Sequence, residues 1–581
     1  MPLLSFLSLP PSHVLLSSGA VASAVEAWTR ITAAAMLAEP LLREAESSQV
    51  LPPLQAISVA ESSQVLPPLQ AISVARSRAP HALRALLAVL AALASFSCVY
   101  YMAGWRTFTG ASLVDLVASP ATPGYWHGVS LGGWLLMEIN KKQRDSKDGP
   151  DVRIGWMFDQ IFASSELDFV TTLRKEKGDD FALTTMRNHW EHFIPDEALD
   201  TAKELGVDAV RIPVGYWIVD APASGGSNTD YGFSPEGFAT GGLNHLRQLL
   251  PKLRDRGMVA VVDMHALPCN SACVSDGMDC ADPLGWSAVE GGTPAPIGDI
   301  ERCNGAGTYP TTRRPEGDLQ TWSDVGVAAI GKLAHWIAGL PEDERRVISA
   351  LQLGNEPALN SPGYDQAVKG FYRAALSEAR AALPSPLPLI MSFIPPNDLN
   401  VPSFIEDISN SYSTPLLIDH HWYLNWATYE GNTLSWSDMH SRACHEARNS
   451  WQPYASAGIK LIIGEWSLAT NHDDPVDLAD APTRLELSRL FHEQLEVYST
   501  DPSVVGSFYW TLRMGSGWDP RPTDQFPDGH QVDGTSVSSS LPGFRFKVWS
   551  LLEMAKHEIV TSVRHDVDAS SKSSWACAFV A

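Results

Sequence analysis

From about residue 120 onward, short apolar runs alternate with longer amphipathic stretches. The runs are Gly128–Trp134, Asp208–Val214, Met258–Met264, Val347–Leu353, Leu387–Phe393, Leu416–His421, Ile459–Gly464 and Val504–Thr511. Each has the length of a strand and is too continuously apolar to leave one face in water, as expected of a parallel sheet covered on both sides. Between most of them lie segments with helical signals, such as Asp196–Leu205 and Leu243–Arg256. Strand followed by helix, eight times over, predicts an α/β fold whose parallel sheet closes on itself, a TIM (β/α)8 barrel over residues 120–565. A doubly wound sheet usually has fewer strands and a glycine-rich phosphate loop after the first, and no Gly-x-Gly-x-x-Gly follows a strand here.

The pattern is different before residue 120. Residues 1–84 are rich in Ser, Pro, Ala and Leu without a sustained period, which predicts a disordered segment. Within them, 46–60 recur unchanged as 61–75. Identity of that degree points to a recent duplication or an error in the assembled gene, because folded repeats drift and need several copies to be stable. Residues 85–104 then carry no charge and are long enough to cross a hydrocarbon core of ~30 Å at ~1.5 Å per residue. Arg76, Arg78 and Arg84 on their N-terminal side predict a signal-anchor helix with a cytosolic N-terminus. The barrel would then face the lumen or the cell exterior, or be secreted if the N-terminal segment is processed. A buried core helix is the alternative reading of 85–104. Residues 566–581 form a C-terminal tail.

Charge narrows the function classes. A formal net charge of −24 opposes nucleic-acid binding, and no long Lys/Arg cluster offsets it. Of the 7 cysteines, Cys269, Cys273, Cys280 and Cys303 lie close together. Their spacing lacks the paired Cys-x2-Cys knuckles of common zinc modules, so two local disulfides are expected, with all three pairings open.

Barrel chemistry comes from the C-terminal ends of strands, and in this chain those ends are rich in polar residues. Arg211 ends the second run, Asp263 and His265 the third, and Asn355 and Glu356 the fourth. Asp419, His420, His421 and Tyr423 end the sixth, Glu465 the seventh, and the eighth carries Trp510. Any one alone would pass for a scaffold or solvated residue. Gathered on one rim, two glutamates suit glycoside hydrolysis, in which one carboxyl protonates a leaving oxygen and the other attacks or stabilises the anomeric carbon. The separation of the two carboxyls would distinguish retention from inversion.

Six motifs, in order, carry a resemblance: Gly128-Val-Ser-Leu-Gly-Gly-Trp134, His189-Trp-Glu-His-Phe-Ile194, Val210-Arg-Ile-Pro-Val-Gly-Tyr-Trp217, Asn355-Glu-Pro357, Asp419-His-His-Trp-Tyr423 and Gly464-Glu-Trp-Ser467. With Asp263-Met-His265 they make the chain resemble the eukaryotic exo-β-1,3-glucanase branch of glycoside hydrolase family 5, from Gly128 to about Trp549. The resemblance implies that Glu356 is the acid/base and Glu465 the nucleophile. It further implies that Arg211 keeps the nucleophile ionised, whereas desolvation would raise the pKa of Glu356. His265, Asn355, His421 and Tyr423 would line the subsite for the terminal sugar, Trp510 would be its apolar floor, and Glu138 would bind sugar hydroxyls.

The sequence departs from the family at the rim. His265-Ala-Leu-Pro-Cys269 stands where a Gly-rich turn is usual and opens the Cys-rich loop; Ser130 replaces an Asn, and Arg513-Met-Gly-Ser516 a Lys-Thr-Glu-like segment. The activity that the resemblance implies is exo cleavage of β-1,3-glucan by a monomeric catalytic domain that needs no metal or other cofactor. Another β-glucan or a glycolipid glucoside is the alternative substrate, and an inactive carbohydrate-binding barrel the alternative from a different class.

Overall fold

The computed structural model describes residues 124–564 and Cys577, apart from 140, 143–152, 155–156, 159, 162, 164, 221–230, 269–320, 358–363, 384–386, 394–400, 412–414, 425–433, 471–475 and 532–546. The chain divides after Ser112, and the described residues all belong to the second unit. Residues 1–84, expected to be disordered, residues 85–104, expected to span a membrane, and the four clustered cysteines lie outside them. Among the described residues, no helix is long and apolar enough to cross a membrane.

Eight parallel strands close into a barrel, each bonded to its neighbours in sequence and the first to the last. They are β1 (Trp126–Ser130), β2 (Ala209–Gly215), β3 (Val259–Ala266), β4 (Ile348–Gln352), β5 (Leu389–Ser392), β6 (Leu416–His421), β7 (Leu461–Trp466) and β8 (Val504–Tyr509). Each overlaps one of the eight apolar runs; β1 begins two residues before its run, and β2, β3 and β7 end one or two residues beyond theirs. Helices precede or follow them, among them α1 (Glu166–Lys177), α2 (Asp179–His192), α3 (Asp196–Glu204), α4 (Gly242–Asp255), α5 (Trp322–Gly339), α6 (Tyr364–Ala382) and α7 (Ala481–Thr500). Side-chain caps start two of them. Thr321 forms a capping box with Asp324 ahead of α5, and the Asp480 carboxylate accepts from Thr483 N–H ahead of α7.

The two-residue period of each strand separates two apolar sets. Val261, Ile390, Leu417, Ile462 and Phe508 fill the barrel interior with Trp126, whereas Val262, Met391, Ile418 and Ile463, one position on, pack outward in the larger core. Two residues beyond the interior layer the side chains become polar. Ala209 is followed by Arg211, Val261 by Asp263, Ala350 by Gln352, Ile390 by Ser392 and Leu417 by Asp419. An apolar plug thus supports a polar layer at the C-terminal end of the barrel.

A disulfide joins Cys444 to Cys577, with Cα atoms 5.4 Å apart across a sequence separation of 133. It ties Cys577 of the tail to the turn of π-helix Arg442–Glu446.

Candidate active site

Arg211 is fully buried and organises the polar layer. Its Nη1 donates to Glu465 Oε1 at 2.8 Å, its Nη2 to Asn355 Oδ1 at 2.7 Å and Asp419 Oδ2 at 3.2 Å, and its Nε to Gln352 Oε1 at 3.1 Å. Asp263 Oδ2 lies 3.0 Å from Nη2 as well. Burial works against the guanidinium charge, but Asp263, Asp419 and Glu465 outweigh it and push its pKa up. Because a guanidinium only donates, Asn355 turns its oxygen to Arg211 and its amide N–H to His265 Nε2, 3.1 Å away. His265 therefore carries its proton on Nδ1 and gives it to Asp263 Oδ2 at 2.7 Å. On its other side the imidazole stacks on Trp510, with centroids 5.5 Å apart and planes at 16°.

A second chain of contacts links the two glutamates. His421 Nε2 donates to Asp419 Oδ2 at 3.0 Å and its Nδ1 to Glu356 Oε1 at 2.5 Å, while Glu465 Oε2 stands 3.5 Å from Nδ1. Tyr423 donates its hydroxyl proton to Glu465 Oε2 at 2.7 Å. The register of β6 against β7 shifts between His420 and His421, which pairs His421 with Glu465. Such a bulge re-aims a side chain. Gly464 makes room for it all: its N–H donates to Asp419 Oδ1 at 2.8 Å, and a Cβ there would stand 2.0 Å from that oxygen.

With both ring nitrogens donating to carboxylates, His421 is an imidazolium. Burial lowers its pKa, but Glu465, Asp419 and Glu356 outweigh this and raise it well above 6.5. For Asp419, burial pushes upward and is overcome by His421 and Arg211, which hold it at about 2. Glu356 departs from the expected direction. Burial does push its carboxyl up, yet the His421 charge and hydrogen bond bring the net value below 4.5. The sequence expectation counted desolvation without the neighbouring cation.

Arg211, His265, Asn355, Glu356, His421, Tyr423, Glu465 and Trp510 therefore form one connected cluster. Glu138, buried beyond β1, joins its edge with Oε1 4.0 Å from His265 Nε2. His420 does not belong. Strand alternation turns it outward, where Nε2 lies 2.8 Å from Ser450 Oγ and the ring packs on Trp451, and burial lowers its pKa to about 4. Four contributors were assigned no role from sequence, among them Asp263, which meets both Arg211 and His265. Gln352 and Asp419 hold Arg211, and Ser392 Oγ accepts from Glu356 N–H at 3.3 Å. Their signal was a polar residue at an inward position near the end of an apolar strand.

Glu356, His421 and Glu465 each offer a ligand atom, all within 4.8 Å of one another, so the set is small enough to grip a divalent cation. The same figure places a carboxylate oxygen of Glu356 within 4.8 Å of one of Glu465.

A sequence profile of the family described as Cellulase (glycosyl hydrolase family 5) matches residues 174–488, more than half of the 581-residue chain. The chain is 24% identical over 347 residues to the probable glucan 1,3-beta-glucosidase A of Emericella nidulans, covering 58% of this chain and 66% of that protein. It is 25% identical over 346 residues to the probable glucan 1,3-beta-glucosidase A of Aspergillus niger, covering 58% and 64%. It thus spans just under two thirds of the length of these two relatives. A third, the probable glucan endo-1,6-beta-glucosidase B of Neosartorya fischeri, is 23% identical over 446 residues, covering 74% and 92%. Among solved structures, the rutinosidase from Aspergillus niger is similar at a TM-score of 0.45 and 16% identity, covering 72% of this chain and 98% of that one.

Proposed function

Because the chain belongs to glycosyl hydrolase family 5, we propose that it is a retaining β-glycosidase that releases glucose from the non-reducing ends of β-1,3-glucan. The observation that carries this reading is the Glu356–Glu465 pair, with oxygens within 4.8 Å at the ends of β4 and β7. Retaining enzymes hold their carboxyls about 5–5.5 Å apart, whereas inverting ones need about 6.5–9.5 Å to admit a water.

In the first step Glu465 attacks the anomeric carbon and the glycosidic C–O bond breaks. The leaving oxygen takes that electron pair, together with the proton that Glu356 and His421 share. In the second step Glu356 accepts a proton from water, which attacks the same carbon and releases Glu465. Arg211 and Tyr423 hold Glu465 for attack through the 2.8 and 2.7 Å contacts. Four carboxylates, Asp263, Glu356, Asp419 and Glu465, face one guanidinium and one imidazolium. That excess of negative charge favours an oxocarbenium-like transition state. Trp510 offers an apolar face to the sugar, with Asn355, His265 and Glu138 beside it for its hydroxyls.

The test is product analysis on a reduced β-1,3-glucan oligomer. Glucose alone, shed from one end and initially as the β anomer, is the expected result; an initial α anomer would sink retention. Glu465→Gln should cut kcat at least a thousandfold, and a variant as active as the parent would overturn the mechanism. Linkage has a second reading, since the match to the relative named as an endo-1,6-beta-glucosidase covers 92% of that protein. A ladder of oligosaccharides from β-1,6-glucan, with β-1,3-glucan untouched, would favour it. The site also lies outside the cytosol on this reading, which the Cys444–Cys577 disulfide supports because such bonds persist in oxidising compartments.

A further inference from the structure

Beyond β8 the chain forms a short antiparallel hairpin in which Trp518–Asp519 pairs with His530–Gln531. Its turn presents Phe526, 37% exposed, and among the described residues only Leu485 is another large hydrophobic in that state. Phe526 is not loose. Its ring stacks on the His530 imidazole, with centroids 4.2 Å apart and planes at 11°. One face is thus supported, and the exposed surface belongs to the other face and the edge.

The backbone beneath is pinned. Thr523 and Phe526 exchange N–H···O bonds at 3.0 and 3.2 Å, and Gly529 adopts a φ of 76°, where a side chain would be strained. The Asn188 amide of α2 donates to Pro527 O at 2.8 Å and Pro520 O at 3.2 Å. Trp518 Nε1 donates to His189 Nδ1 at 3.0 Å, and His189 Nε2 donates to Gly133 O at 2.7 Å. Gly133 lies in the segment after β1 that carries Glu138. A chain of hydrogen bonds therefore connects the hairpin to the segment that follows β1.

We propose that the Phe526–His530 stack is an outer platform on which a β-linked glucan chain rests when it reaches the active site. This rests on the reading of that site as a β-glucan hydrolase. The rings of β-linked glucose carry their hydroxyls equatorially, leaving flat C–H faces that suit an aromatic surface. Exposed Thr523, Asp524, Gln525 and Asp528 surround Phe526 with hydrogen-bonding groups for those hydroxyls. The two aspartates disfavour a polyanion, and one aromatic ring is far smaller than the core of a protein interface. A neutral polysaccharide meets both conditions.

The test has a kinetic arm and a binding arm. In Phe526→Ala, the ratio of kcat/KM on a long linear β-1,3-glucan to kcat/KM on an aryl β-glucoside should fall about tenfold, with Phe526→Trp restoring it. In native gels containing soluble β-1,3-glucan, Glu465→Gln protein should be retarded and the double variant Glu465→Gln/Phe526→Ala should run freely. Leu485→Ala, at the other exposed apolar residue, should leave both readings unchanged. An unaltered ratio with unaltered retardation overturns the platform, as does an equal effect of Leu485→Ala. A parent that hydrolyses no glucan yet is retarded through Phe526 would sink the hydrolase reading and keep the platform.

Discussion

Glu356 holds a φ of 41°, a left-handed conformation that costs a non-glycine residue about 1–2 kcal/mol. The hydrogen bonds to Ser392 and His421 keep it there, aiming the carboxylate at the imidazolium. Two groups that share a proton titrate as a pair, so activity should report both. With Glu356 below 4.5 and His421 well above 6.5, the pH profile of kcat/KM should have its acid limb below 4.5 and its basic limb well above 6.5. A basic limb centred on 6.5 would refute the shared proton. At Gly464 the obstacle is steric. Gly464→Ala drives a methyl into Asp419 and should lower unfolding free energy by about 1–3 kcal/mol in urea, with activity falling alongside. The identities of the two glutamates could be read from sequence, because each ends an apolar run; the protonation state of Glu356 could not, since His421 approaches it from 65 positions away.

The strands were legible because burial on both faces makes a parallel strand continuously apolar, and that property survives without knowledge of its neighbours. What a strand alone could not reveal is the bulge between His420 and His421. Two adjacent histidines look equivalent in sequence, yet strand alternation sends one to Ser450 and Trp451 and the register against β7 brings the other to Glu465. The Cys444–Cys577 bridge was equally hidden, its halves being separated by 133 positions. Closing so long a loop restricts the unfolded chain, so Cys444→Ser should cost about 2–5 kcal/mol and lower the thermal midpoint. Calorimetry with and without reductant measures it, and the variant should be insensitive to reductant at this bond.

Across the whole molecule, the charged layer sets how stability follows pH. The Asp419 pKa is depressed, so its contribution is present above the ordinary 3.8 and is lost as pH falls through about 2, a loss of about 2 kcal/mol. That of His421 is raised; its contribution is complete below 6.5 and is lost as pH climbs through the raised value. Urea midpoints should therefore plateau between about pH 4 and 6.5 and decline on either side. The two glutamates and the side chains clustered around them lie in the unit beginning at Leu113, so deleting residues 1–112 should leave kcat and the thermal midpoint of the barrel unchanged. Sequence by itself determined the eight-stranded barrel, the rim on which chemistry gathers and the two glutamates, because periodicity and strand-end polarity are local properties. Tertiary structure alone decided that Arg211 meets Asp263, Asn355, Asp419 and Glu465 at once, and that His421 keeps the proton Glu356 was expected to hold. Both depend on charges from different strands brought within about 3 Å in a buried layer, where Coulomb terms outweigh the cost of desolvation.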